Sequence, residues 1–147
     1  MTAASATSPA LSSERRFALG IGLTNECNLS CSFCYRDPTR VDRLSLDQVR
    51  AVLDRLPIRS VNLGTGENGM HPEFKPMLDL LRTEPIKLTI TSNGHSIAVI
   101  ADENVRAFAD VEFSIDYPTD EEQDVQRGPG NWDLVMERRA AAASASA

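Results

Sequence analysis

Residues 17–38 read FALGIGLTNECNLSCSFCYRDP, and the fold and the chemistry both start from this stretch. Over 17–24, Phe17, Leu19, Ile21 and Leu23 alternate with small residues, the period of a strand with one apolar face. The strand runs straight into a loop that holds every cysteine of the chain, Cys27, Cys31 and Cys34, at C-x3-C-x2-C spacing. Downstream, Ser45 and Gln48 form a capping-box pattern, and Leu46, Val49, Leu53 and Leu56 recur at helical spacing up to Pro57. A strand at 58–64, a helix at 72–83, a strand at 86–92, a helix near 102–109 and a strand at 111–116 follow, and Asn131 is placed to cap a last helix, WDLVMERRA. Strand and helix alternate throughout, which predicts an α/β fold of parallel βαβ units with right-handed crossovers.

The composition limits the function. The chain has 147 residues, the size of one domain, with 41% hydrophobic and 24% charged residues. A formal charge of −6 argues against a general nucleic-acid binder, which needs a dense basic surface. No apolar run reaches the roughly 18 residues of a membrane helix, so no membrane partner is expected. Charge is uneven: arginines 36, 40, 43, 50, 55 and 59 contrast with the acidic run Asp120, Glu121, Glu122 and Asp124, and both are read as solvated faces. Residues 1–16 are small and polar with no apolar core segment, so they read as a disordered leader and not as a secretory signal. A cytoplasmic location follows, and in that reducing compartment three clustered thiols favour metal binding over disulfides.

A cuboidal iron–sulfur cluster held by three thiolates keeps one iron open for a non-protein ligand. Two other readings remain open: a zinc site completed by His71 or His95, and a cluster completed by a cysteine from a partner subunit. Neither histidine is assigned as a ligand. No side chain is assigned as a catalytic residue.

The cysteine window, with aromatic Phe33 just before the third cysteine, resembles the signature of the radical S-adenosylmethionine (radical SAM) enzymes. Further along, Leu63-Gly64-Thr65-Gly66-Glu67-Asn68-Gly69-Met70-His71-Pro72-Glu73-Phe74 is similar to the family's glycine-rich GGEP stretch and the helix entry after it, departing at Thr65 and Asn68. Thr91-Ser92-Asn93-Gly94 is similar to its T-N-G strand ending. Ser114-Ile115-Asp116, then Arg127-Gly128-Pro129-Gly130 ahead of Trp132, are similar to features of the SPASM/MoaA-like branch. The segments occur in the family's order, one after each strand, over about 17–139.

The resemblance implies a [4Fe–4S] cluster on Cys27, Cys31 and Cys34, with S-adenosylmethionine (SAM) chelating the open iron through its amine and carboxylate. It implies SAM contacts from Phe33, Gly66, Glu67, Ser92, Asn93, Ser114 and Arg127: Glu67 for the ammonium group, Ser92 and Asn93 facing the cleft, Ser114 as a hydrogen-bond partner and Arg127 for the carboxylate. The implied activity is reductive SAM cleavage to a 5′-deoxyadenosyl radical that abstracts hydrogen from a peptide or small-molecule substrate, an oxidoreductase fed by a reductant such as flavodoxin or ferredoxin. The non-enzymatic alternative is an iron–sulfur or zinc-binding protein.

Family members have a six-unit (βα) barrel, and at roughly 30 residues per unit this chain accommodates about four. The expectation is therefore a partial radical SAM barrel over 17–139, the N-terminal part of a longer or truncated enzyme. The stretch 140–147 reads as a low-complexity tail outside the folded core.

Overall fold

The computed structural model describes residues 17–145. The expected leader lies outside them. Four strands, β1 (Phe17–Ile21), β2 (Ile58–Leu63), β3 (Lys87–Ser92) and β4 (Asp110–Phe113), form one sheet in the order β1-β2-β3-β4, every neighbouring pair parallel. The crossovers carry α1 (Leu46–Arg55), α2 (Phe74–Thr83) and the short α3 (His95–Ala98) and α4 (Asp102–Val105), and a 3-10 turn at Asn68–Met70 precedes α2. After β4 come α5 (Asp120–Arg127) and α6 (Asn131–Ala145).

Strand alternation sorts the side chains into two faces. Leu23, Val61, Leu63, Leu88 and Ile90 are buried and pack with Val49 and Leu53 of α1 and Met77, Leu78 and Leu81 of α2 in one core. The opposite face is polar. There Asn62 Nδ2 donates to Thr89 Oγ1 at 2.9 Å, and Thr91 Oγ1 donates to Glu112 Oε2 at 3.2 Å. Parallel strands are usually apolar on both faces. A hydrogen-bonded polar ladder along the second face keeps it open to ligand and water, with no packed core above it.

The expected capping box at the start of α1 is present: Ser45 Oγ accepts from Gln48 N at 3.1 Å, and Gln48 Oε1 accepts from Ser45 N at 2.8 Å. Two readings need correction, while the acidic run is solvated over Asp120–Glu122, which open α5 where their charge suits the helix dipole. The half-buried Asp124 accepts from Gly130 N and Trp132 N, each at 2.8 Å. Asp124 therefore caps α6, and Asn131, the expected cap, is used elsewhere. Residues 140–145 are also not unstructured; they continue α6, because alanine is the strongest helix former. Ala142 is buried beside the Val105–Phe108 corner, and Arg106 Nε donates to Ala145 O at 2.7 Å.

Candidate functional site

The cysteine loop is fastened at its base. Leu44 N donates to Leu23 O and Asn25 N to Asp42 O, at 2.9 and 3.0 Å, around an antiparallel bridge between Thr24 and Arg43. Asn25 Oδ1 accepts from Asp42 N, and Arg43 grips Glu26 with a two-pronged ion pair, at 2.7 and 2.8 Å. The Arg43 and Thr24 hydrogen bonds hold the Glu26 carboxyl down at about 2. Closing the loop at its neck lowers the entropy cost of arranging three thiols within it.

A cavity of about 290 Å3 opens beyond the C-terminal ends of the strands, the end at which barrel folds place their ligand sites. Cys27, Cys31 and Cys34 border it together with Phe33, Gly66, Glu67, Asn93, Ser114 and Arg127. All nine were expected as ligands or, from the resemblance, as cofactor contacts, scattered over about a hundred residues of sequence; the sheet register brings them to one place. Arg127 lies over the Phe33 ring, 5.3 Å from its centroid, and its Nε donates to Asp116 Oδ2 at 2.5 Å. Burial pushes the Cys27 thiol up, countered in part by the N–H of Leu29.

Two expected side chains are used differently. Ser92 does not face the cavity, because alternation along β3 turns residues 91 and 93 toward it and 92 away. Its hydroxyl donates to Glu67 Oε1 at 2.5 Å. Glu67, buried at 1% exposure, also accepts from Ser96 N at 2.8 Å and Asn93 N at 2.9 Å. The Glu67 carboxyl thus anchors the end of β3, where the sequence reading had given it to an ammonium group.

Thr91, Tyr35, Arg36 and Thr65 also border the cavity and were not assigned from the sequence as ligands or cofactor contacts. Strand parity identifies Thr91, and Tyr35 and Arg36 simply follow Cys34. Thr65 and Asn68, the two departures from the glycine-rich pattern, both have a structural account. Thr65 takes φ +65°, a left-handed conformation that glycine adopts freely and that costs other residues roughly 1–2 kcal/mol. Its hydroxyl meets the Tyr35 hydroxyl at 3.0 Å. Asn68, where proline is usual, accepts from Leu23 N at 2.9 Å and ties the turn to the end of β1. His71 is structural: Nδ1 accepts from Glu73 N and Nε2 reaches Leu44 O, at 2.9 and 2.8 Å.

Gly66 is the closest approach in the site. It holds φ +62°, and a Cβ there would sit 2.5 Å from Glu26 O and 2.8 Å from Thr24 O. Gly66→Ala is expected to cost at least about 1–2 kcal/mol through the backbone conformation alone and to push the glycine-rich turn away from the cysteine loop. Chemical denaturation and the iron content after reconstitution read both effects; parent-like values in each would show that the turn has slack.

A parallel βα sheet with a thiol-bordered cavity at its strand ends defines a barrel-type protein built to hold a thiolate-bound cofactor. The chain belongs to the Radical SAM superfamily, whose family model matches residues 21–145. It is 29% identical over 121 residues to the mycofactocin maturase MftC of Mycobacterium tuberculosis, covering 78% of this chain and 31% of the relative. It is 33% identical over 109 residues to a probable GTP 3′,8-cyclase of Pyrococcus horikoshii, covering 67% of this chain and 34% of that protein. The chain thus spans about a third of the length of these relatives. Among solved structures, anSMEcpe with bound AdoMet superposes with a TM-score of 0.63 at 18% identity, over 88% of this chain and 41% of the other, a likeness of fold.

The family's cofactors are a [4Fe–4S] cluster and SAM, and the residues present fit them. The three thiols border one cavity, which suits a cluster that offers each thiolate its own iron. Arg36 borders the same cavity, and its Nε is buried without a hydrogen-bond partner, an available donor beside an anionic cofactor. No helix among the described residues is long and apolar enough to cross a membrane.

Proposed function

We propose that this chain carries the cluster-binding and SAM-binding half-barrel of a radical SAM enzyme acting on a peptide or small-molecule substrate, with electrons from a small carrier such as flavodoxin or ferredoxin. The observation that carries the reading is the meeting of Cys27, Cys31, Cys34, Gly66, Asn93, Ser114 and Arg127 on one cavity. The cofactors, when bound and reduced, supply reductive cleavage of SAM to the 5′-deoxyadenosyl radical that abstracts hydrogen from the substrate.

The protein's own tasks are binding, orientation and exclusion of water. The three cysteines would hold the cluster through their thiolates. Thr65 and Gly66 border the cavity, and their backbone carbonyls would accept from an ammonium group in place of the occupied Glu67 carboxyl. Arg127, steadied by Asp116 and Phe33, presents a guanidinium to a carboxylate, and the Ser114 hydroxyl offers a further contact from the end of β4. Phe33 and Tyr35, 50% and 84% exposed, give the cavity mouth an aromatic rim that a bound partner or substrate would dry.

The test is EPR of the reduced, reconstituted protein with and without SAM. SAM is expected to change the cluster spectrum, and Arg127→Ala to weaken that change while iron content stays near the parent value. A spectrum indifferent to SAM in the parent would point to a non-catalytic iron–sulfur protein.

A further inference from the structure

We propose that Asn93 donates a hydrogen bond to the Cys27 sulfur, and that a buried relay of side-chain amides, Gln123 to Asn131 to Asn93, holds this donor in place and so sets the reduction potential of the cluster from α5. The inference rests on the cluster reading above.

All three amides are buried: Gln123 at 0%, Asn131 at 3% and Asn93 at 4% exposure. Asn93 Nδ2 donates to Asn28 Oδ1 at 2.8 Å and lies 3.5 Å from Cys27 Sγ, within reach of an N–H···S bond. The amide cannot usefully flip, because Oδ1 accepts from His95 N at 3.0 Å. The nitrogen must therefore face the cysteine loop. Asn131 Nδ2 braces the Asn93 backbone by donating to its carbonyl at 2.9 Å. Gln123 Nε2 donates in turn to Asn131 Oδ1 at 2.9 Å and to Ser114 O at 3.1 Å. Gln123 is itself oriented by the N–H groups of Asp116 and Tyr117, which its Oε1 accepts at 3.1 and 3.3 Å. The relay thus runs from the backbone beyond β4 to one sulfur, and each amide has its orientation fixed by a backbone group.

The three sulfurs are not equivalent. Cys27 Sγ faces two N–H donors, Asn93 Nδ2 and Leu29 N, the latter at 3.4 Å. Cys31 Sγ instead sits 3.9 Å from a carbonyl, Arg127 O, and no donor reaches Cys34 Sγ among the described residues. N–H···S bonds stabilise the charge that reduction adds, so they raise a cluster's potential, and polar partners behind the ligands tune it. Asn93 is a positioning residue whose own support comes from α5, the helix that ends in Arg127.

The experiment is an EPR-monitored redox titration of the anaerobically reconstituted chain without SAM, for the parent and for Asn93→Ala, Asn93→Asp and Asn131→Ala, each checked for iron and sulfide. Asn93→Ala is expected to disfavour the reduced state about tenfold, a fall of about 59 mV for a one-electron couple. Asn93→Asp, an isostere that keeps the acceptor for His95 but brings a carboxylate to the sulfur, is expected to fall further. Asn131→Ala is expected to shift the same way by less. Unchanged potentials in the Asn93 variants overturn the donor, and an unchanged Asn131→Ala overturns the relay. Loss of the cluster from both Asn93 variants overturns the proposal as well, since it makes the residue a structural support only. A parent that takes up no cluster fails on the underlying reading, which is a distinct result.

Discussion

Replacing Cys27, Cys31 or Cys34 by alanine, one at a time, is expected to reduce bound iron from about four per chain to near zero, because two thiolates do not hold a stable cubane. The loss should leave the fold intact. None of the three belongs to the buried core; Cys27 and Cys31 are half-buried and Cys34 is exposed. Circular dichroism and the denaturation midpoint of the metal-free chain should therefore match the parent. A variant that retains four irons would show that the thiol concerned is not a ligand.

The second large effect falls on stability. Glu67→Ala removes the acceptor that joins the glycine-rich turn to the end of β3, leaving the Asn93 and Ser96 N–H groups without a partner in a buried setting. At roughly 1–3 kcal/mol for each orphaned donor, with the cavity left behind adding to it, the expected loss is about 3 kcal/mol or more. Glu67→Gln is expected to be nearly as damaging, since its NH2 group would face a donor wherever it points. Urea denaturation of the metal-free chain measures this directly. A loss below about 1 kcal/mol in both variants, coupled to weaker SAM binding, would return Glu67 to the role of a ligand contact.

Glu67 also marks the limit of what the sequence discloses. A glutamate in a glycine-rich turn after a strand is recognisable from its neighbours, but the direction of its side chain depends on β3, which pairs with β2 from more than twenty residues away. Ser92 is the same case in reverse. The alternation along β3 was visible in the sequence and already implied that Ser92 and Asn93 point to opposite faces, whereas the motif reading grouped them together. The four strands, the capping box of α1 and the order of the motifs were legible because each is local. Helix α5 was not: its charged face hid the one buried residue, Gln123, whose partners Ser114 and Asn131 come from separate segments. The polar ladder of Asn62, Thr89, Thr91 and Glu112 likewise exists only once the strands are in register.

The measurement that tests the central claim most directly is iron and acid-labile sulfide analysis of the purified chain after anaerobic reconstitution. About four irons and four sulfides per chain are predicted. A stoichiometric zinc ion with no sulfide would contradict the account.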